Sequence, residues 1–228
     1  MRAAVLILVF VAGCASTGEE RDPRDPWEGV NRGVYRFNDT VDEYLAKPVA
    51  RTYVKVLHQE IRTRIANFFS NLQDPWIGIN NFLQGKFEDG VNDFARFALN
   101  STFGILGIHD FVGEGMDKHN EDFGQTLGYW GVGTGPYLVL PIFSSSTVRD
   151  TGGMALDWTF DLVGEARPIA LRNSLVVTRA VNSRAELLEA SRLLEEAALD
   201  KYVFQRDAFL QRRRSLVYDG RPPREKLE

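Results

Sequence analysis

Apolar residues recur along most of this chain at the spacing of a helix face. Val30, Val34, Phe37, Val41 and Leu45 fall at steps of four, three, four and four, which predicts one amphipathic helix. Pro48 can open a second. Ile61, Ile65, Phe68, Phe69 and Leu72 make another stripe, predicted to end before Asp74-Pro75. A new helix then carries Trp76, Ile79 and Leu83. Phe87, Val91, Phe94, Phe97 and Leu99 mark a further helix, which Gly104 and Gly107 terminate.

Between Gly104 and Gly153 glycines crowd the chain and the helical period fades. Tyr137 to Pro141 reads as a short extended segment. Helix returns over Val148 to Leu162, where Met154, Leu156, Trp158 and Phe160 are dense enough to predict burial on more than one side. Glu186 to Gln211 predicts one or two helices. The tail from Asp219, with Pro222-Pro223, is predicted to be disordered. No fixed-period repeat is visible.

The N-terminus follows another rule. Met1-Arg2 is a minimal positive region and Ala3 to Val11 is an unbroken apolar run, too short for a bilayer that needs about 20 apolar residues. Val11-Ala12-Gly13-Cys14 follows and looks like a bacterial lipoprotein cleavage box, with the cut between Gly13 and Cys14. The competing reading is a buried strand ending at a core cysteine. The polar segment after it, rich in Gly, Ser, Thr, Glu and Asp, weighs against that. A Cys14 thiolate can take a diacylglycerol as a thioether, and the freed amine a further acyl chain. Each buried methylene contributes about 0.8 kcal/mol, so several chains hold firmly. Ala15, where inner-membrane lipoproteins often carry Asp, favours the outer membrane. The expected layout is a signal peptide at 1–13, an acylated tether at 14–24, one helical domain at 25–218 and a tail at 219–228.

Composition narrows the function classes. The 228 residues are 44% hydrophobic and 25% charged, with a formal charge of −4, which gives no case for nucleic acid as a partner. Cys14 is the only cysteine, so neither a disulfide nor a thiolate metal site is expected. His58, His109 and His119 are scattered without metal-ligand spacing and read as structural or exposed. No Gly-x-Ser-x-Gly nucleophile elbow appears. No cofactor is expected beyond the acyl groups on Cys14. The 15 Phe, 7 Tyr and 4 Trp suit an interface between headgroups and tails. On pattern alone, an ordinary water-soluble core with the polar residues as its solvated face is the favoured explanation of the stripes.

Several ordered blocks are less generic. Asp25-Pro26-Trp27-Glu28-Gly29-Val30-Asn31-Arg32, followed by Tyr35-Arg36-Phe37-Asn38, resembles the opening signature of the MlaA (VacJ) family of outer-membrane lipoproteins. So do Arg96 to Thr102 with Gly104, Gly107 and Asp110, and Glu121 to Gly128 running into Trp130-Gly131-Val132-Gly133 and Gly135-Pro136-Tyr137-Leu138-Val139-Leu140-Pro141. Arg149-Asp150, Ser183 to Leu188 and Asp200-Lys201-Tyr202 also fit. The resemblance runs from Asp25 to about Arg214. It departs at Ser144-Ser145-Ser146-Thr147, where the family often has a Gly-Pro-Ser type turn.

The resemblance implies a mostly α fold: a ring-like bundle of amphipathic helices lying in one leaflet of the outer membrane, on its periplasmic side. A glycine-rich hairpin stands beside a polar channel, and no helix spans the bilayer. It implies removal of stray phospholipids from the outer leaflet, delivery to a soluble periplasmic lipid carrier and association with trimeric porins. Two rival functions are a scaffold bracing porins or the envelope, and a membrane lipid hydrolase.

Candidate residues follow from both readings. The resemblance places Gly131 to Asp150 at a mobile hairpin beside the channel, so Gly131, Gly133, Gly135 and Pro136 read as a hinge. A static turn is the alternative, and a phosphate-cradling loop lacks the strand-to-helix context. Arg149 and Asp150 form either a buried ion pair anchoring that hairpin or a surface pair. Being adjacent on a helix, each is expected to find another partner. Asn31, Arg32, Asn38, Asn80 and Asn81 offer polar groups near the stripes. Arg32 either meets a phosphate headgroup or is solvated. The basic end, with Arg206, Arg212, Arg213 and Arg214, either touches anionic lipid or a carrier, or forms a solvated face.

Overall fold

A computed structural model describes residues 22–113 and 115–223. The expected signal peptide, the Gly13–Cys14 junction with its expected acylation, and most of the expected tether lie outside the described residues. The fold is mostly helical. Helix α1 (Glu28–Val41) passes through a π-helical turn (Asp42–Ala46) into α2 (Lys47–Val56). Then follow α3 (Gln59–Leu83) and α4 (Phe87–Thr102), and, after a long irregular loop, the short α5 (Phe123–Tyr129). An antiparallel hairpin, β1 (Tyr137–Leu140) and β2 (Ser144–Thr147), precedes α6 (Val148–Thr159), α7 (Ile169–Glu186), α8 (Leu188–Ala197) and α9 (Lys201–Val217). Among the described residues no helix is long and apolar enough to cross a membrane.

The faces of these helices are turned the unusual way. On α1 the buried residue is Asn31, while Val30, Phe37 and, beyond it, Leu45 of the predicted stripe are exposed. On α4 the buried positions are Gly90, Asp93, Arg96 and Asn100, while Phe87, Val91 and Phe94 face out. Helix α3 buries Asn71, Asp74, Gly78 and Asn81 against that polar face. Among the described residues, buried polar and charged side chains outnumber buried apolar ones roughly two to one. A water-soluble domain shows the opposite preference.

Small residues let the polar faces meet. A Cβ on Gly90 would come 3.0 Å from the Gly78 carbonyl oxygen, and one on Gly153 would come 2.6 Å from the Gly124 nitrogen. So α3 and α4, like α5 and α6, touch backbone to backbone at these glycines. The inward polar groups then find one another: Asn81 Nδ2 donates to Asp93 (2.8 Å), Asn71 Nδ2 to Ser101 (2.9 Å) and Asn100 Nδ2 to Asp110 (2.8 Å). Most buried polar groups are partnered in this way, although Asn71 Oδ1 and Asn81 Oδ1 are buried without a hydrogen bond.

Several expectations need correction. The predicted break at Asp74-Pro75 is absent, and α3 runs through Pro75. Lys118 reaches into that turn, donating to the Ser70 carbonyl (2.8 Å) and pairing with Asp74. Pro48, by contrast, stands in the first turn of α2 as expected, although α2 continues a nearly unbroken helical run from α1. Leu156, Trp158 and Phe160 are exposed, not enclosed on two sides. The sequence pattern gives no sign of α7, whose apolar residues Ile169, Leu171, Val176 and Val177 make no clean stripe and are exposed. The tail, predicted disordered from Asp219, opens with a turn in which Asp219 pairs with Lys86 (2.5 Å). The predicted helix end before Gly104 holds. Gly107 donates to the Asn100 carbonyl (2.9 Å) with φ of +83°, a conformation suited to glycine.

Candidate functional site

The hairpin is assembled from the far ends of the sequence. Tyr137 and Val139 of β1 point inward; Tyr137 packs edge-on against Tyr202 and Phe209 of α9. Its backbone N–H donates to the Arg24 carbonyl (2.8 Å). Asn31 Nδ2 donates to the Tyr137 carbonyl (3.0 Å), and Asn31 Oδ1 accepts from the Val139 N–H (2.9 Å). Asn38 repeats the arrangement with the Leu140 carbonyl (2.9 Å) and the Ile142 N–H (2.8 Å). On the other strand Gln205 of α9 donates to Ser144 and Ser145. These Ser residues occupy the segment that departs from the family pattern, and here they form β2.

A second cluster ties the start of the domain to α9. Asp25 is buried and accepts from Asn31 Nδ2 (2.8 Å) and from the Tyr202 hydroxyl, with Arg206 at 3.6 Å. Asp22 and Arg24, at the end of the expected tether, join it. Asp22 pairs with Arg24 (2.6 Å) and with Arg206 (3.0 Å). Asp22 titrates at about 2, because the Arg24 hydrogen bonds favour its carboxylate. Arg32 pairs with Glu28 (2.6 Å) and Asp200 (2.8 Å) and lies 4.5 Å over the Tyr202 ring. It is therefore neither solvated alone nor held out for a headgroup. Tyr35 stacks edge-on to Tyr202 at 5.6 Å, whereas Phe37 faces outward.

The glycine loop and α9 line a half-open cavity of about 1040 Å³. Gly131, Gly133 and Gly135 line one side, with Thr134 between them, and Arg149, Arg213 and Arg214 supply cationic groups. Leu210 and Val217 add apolar surface, so the lining is mixed in the way an amphipathic ligand requires. Pro136 sits just behind the loop, its carbonyl accepting from Val148 N–H (3.1 Å), and Pro141 follows β1 at the exposed tip with Ile142 and Phe143.

Arg149 and Asp150 are both buried and do bond to each other, with Arg149 Nε 3.0 Å and Nη2 2.9 Å from Asp150 Oδ1. The adjacency argument fails here because both sit in the first turn of α6, capped by Thr147, where long side chains can curl back. The additional partner expected for Asp150 is present: it is Arg213. That guanidinium bridges Asp150 (2.9 Å) and Asp122 (2.5 Å). Burial alone would raise the Asp122 carboxyl, but the hydrogen bonds and charge of Arg213, together with the hydrogen bonds from Gln125, outweigh it and hold the group below its ordinary value. Asp122 also caps α5 by accepting from Gln125 N–H (2.9 Å). Of the basic end, Arg206 and Arg213 are thus committed internally, and Arg214 Nη2 donates to the Pro223 carbonyl (2.5 Å).

Sequence reasoning groups Asn31, Asn38, Asn80 and Asn81 as polar groups near the stripes. The structure makes all four internal fasteners. Asn80 donates to the Trp76 carbonyl (2.9 Å) and accepts from Thr126 (2.8 Å). The bridge between Asp122 and Arg213 is not visible in the sequence. Asp122 stands just before α5 and Arg213 within α9, and spacing cannot pair residues 91 positions apart. Of the histidines, His58 precedes α3, His109 contacts Arg64 (3.2 Å) and His119 sits beside Asp93 (3.4 Å).

Comparison with known proteins agrees with this architecture. A family profile described as MlaA lipoprotein matches residues 23–216. The chain is 35% identical over 227 residues to the "Intermembrane phospholipid transport system lipoprotein MlaA" of Shigella flexneri and of Escherichia coli (strain K12), spanning 96% of this chain and 89% of either relative. The protein so named in Haemophilus influenzae is 31% identical, with 96% and 90% covered. A structure solved under the heading "Structural basis for maintenance of bacterial outer membrane lipid asymmetry" superposes with a TM-score of 0.74 at 34% identity, over 85% of this chain and 98% of that one. By sequence and by fold, this chain belongs to the MlaA lipoprotein family.

Proposed function

We propose that this protein moves phospholipids between the outer membrane and the periplasm through the cavity between its glycine loop and α9, and so maintains lipid asymmetry. The observation that carries this reading is the reversed packing: polar groups inside, apolar groups outside. A helix bundle with this distribution is stable where its surroundings are hydrocarbon. Exposed Phe37, Leu45, Phe87 and Val91 lie against lipid tails, and the helices lie as a ring in one leaflet. The acyl chains on Cys14 hold the ring to the periplasmic side.

A phospholipid headgroup crosses hydrocarbon at high cost, because a charge without partners in a low-dielectric medium is heavily penalised. Thr134, the glycine backbone and Arg214 of the larger cavity offer polar partners to the phosphate in place of water, while Leu210 and Val217 meet the upper acyl chain. A passive passage has no direction of its own. Net removal from the outer leaflet then depends on a soluble periplasmic carrier that takes the lipid, and trimeric porins brace the ring. The glycine loop acts as a hinge at the mouth. The protein is a passage and not an enzyme, so no bond in the lipid breaks.

The test is direct. Purified full-length protein is expected to carry phospholipid and to pass it to acceptor vesicles. Cells lacking the protein are expected to accumulate phospholipid on their surface. Release of free fatty acid from labelled phospholipid would turn the reading towards a hydrolase. Porin binding without any lipid bound or moved would turn it towards a scaffold.

A further inference from the structure

A second, smaller cavity of about 360 Å³ lies across the Arg213 bridge from the larger one, with Asp122 in its wall. Its aromatic wall is Trp76, Trp158 and Phe160, and its polar wall includes Glu121, Asp157, Asp161 and Arg179. Trp76 and Phe160 stack face to face at 4.2 Å. The carboxylates are not equivalent. Glu121 is paired with Lys86 (3.1 Å), Asp122 with Arg213 (2.5 Å) and Asp161 with Arg179 (2.7 Å). Asp157 has no cationic partner among the described residues. Its Oδ1 accepts from Trp76 Nε1 (2.7 Å) and from Phe123 N–H (3.0 Å), both neutral donors. A carboxylate held partly out of water with no cation in direct contact is costly, and burial pushes the Asp157 carboxyl above its ordinary value even though the more distant Arg213 charge pulls the other way.

Cations are attracted both to such a carboxylate and to the faces of indole and phenyl rings. We propose that the smaller cavity takes the ammonium end of an amine-bearing phospholipid headgroup, with Asp157 as counter-charge and Trp158 and Phe160 as the aromatic wall. The ligand is a lipid and not a soluble amine because of where the cavity opens. Trp158 and Phe160 are half exposed, and their neighbours Leu156 and Leu162 on the same stretch are exposed apolar side chains. The rim is thus continuous with surface suited to acyl chains. A headgroup without an amine would meet the same carboxylate without compensation. This assignment rests on the phospholipid-transport reading and adds a headgroup preference to it.

The experiment uses full-length protein with vesicles of phosphatidylethanolamine or of phosphatidylglycerol, and reads both lipid bound at equilibrium and tryptophan fluorescence, since Trp76 and Trp158 line the site. The wild type is expected to prefer the amine-bearing lipid by roughly fivefold. Asp157→Asn keeps an acceptor for Trp76 and Phe123 but removes the charge, and is expected to abolish the preference. Trp158→Ala, at an exposed position, is expected to reduce it and guards against a folding defect in the first variant. Equal binding of the two lipids by the wild type, or an unchanged preference in both variants, overturns the headgroup assignment and leaves lipid transport standing. Binding of free phosphoethanolamine without any preference between the lipids assigns the cavity to soluble amines and overturns it too. Failure to bind either lipid overturns the transport reading itself.

Discussion

Asn31 and Asn38 stand seven residues apart on α1, two helical turns or about 10.5 Å of rise, and each holds the hairpin with one donated and one accepted bond. Asn31 meets the edge of β1 at Tyr137 and Val139, and Asn38 meets the end of β1 at Leu140 and the turn beyond it at Ile142, where φ is +70°. A helix thus satisfies backbone groups of a strand edge and a turn that would otherwise lie unpaired. The hairpin is thereby located by α1 as much as by its own turn.

That arrangement predicts an ordered pair of losses. Asn31→Ala leaves the Val139 N–H and the Tyr137 carbonyl buried without partners, at a cost of about 1–3 kcal/mol. Asn38→Ala acts beside the exposed Ile142, where water can substitute, and should cost about 0.5–1.5 kcal/mol. Thermal unfolding in detergent reads the difference, at about 2–4 °C per kcal/mol for a domain of this size. Equal melting points for the two variants and the wild type would show that the amides do not hold the hairpin.

The Arg213 bridge makes a pH-dependent prediction. Asp122 has a lowered folded-state pKa, so its contribution to stability is present above the unfolded value near 4 and is lost as pH falls through the folded value. Arg213→Gln leaves Asp122 without its cation, while Asp150 keeps Arg149, and should destabilise the fold by about 3–5 kcal/mol at pH 7. In the variant, burial of Asp122 is opposed only by its Gln125 hydrogen bonds, so the group protonates more readily and relieves part of its penalty. The deficit relative to wild type should therefore shrink below pH 4. Urea unfolding at pH 7 and pH 3.5 measures it, and a constant deficit across that range would contradict the bridge.

A third prediction concerns the anchor. Cys14→Ala removes the acylation site, and the protein is expected to leave the outer-membrane fraction. Retention of an unacylated form there would mean that the exposed apolar faces of α1, α4 and α6 suffice for insertion. Fractionation followed by mass measurement of the N-terminal peptide separates the two outcomes.

Periodicity reveals that α1, α3 and α4 are amphipathic, glycine density shows where the chain turns often, and the resemblance locates the hairpin. What periodicity does not carry is which face turns inward. Val30, Phe37 and Phe94 read the same whether they pack a core or meet lipid tails, and only the burial of Asn31, Asp93 and Asn100 between them decides. The break predicted at Pro75 is the expected cost of a missing N–H. Lys118, far along the chain, reinforces that turn and cannot be seen locally. Arg149 and Asp150 are legible as a functional pair through the resemblance, but the third partner, Arg213, depends on how α9 returns across the hairpin.

The glycine loop supplies the sharpest contrast. Gly133 lines the larger cavity, has open space where a methyl group would stand and does not need a positive φ. Valine should therefore fold there with an unchanged melting point. Gly135 has φ of +67°, and its Cβ would lie 3.1 Å from that of Val148. Gly135→Val forces a left-handed conformation that costs about 1–2 kcal/mol for a side chain, and the contact with Val148 adds to it. If the loop is the mouth of the passage, Gly133→Val narrows and stiffens it without unfolding the protein. Phospholipid transfer to acceptor vesicles should then slow several-fold while porin association is unchanged. The pair separates the two ways a loop mutation can act: Gly135→Val should lower the melting point by roughly 2–8 °C, whereas Gly133→Val should change the rate alone. A folded Gly133→Val protein that transfers lipid at the wild-type rate places the passage somewhere other than this cavity.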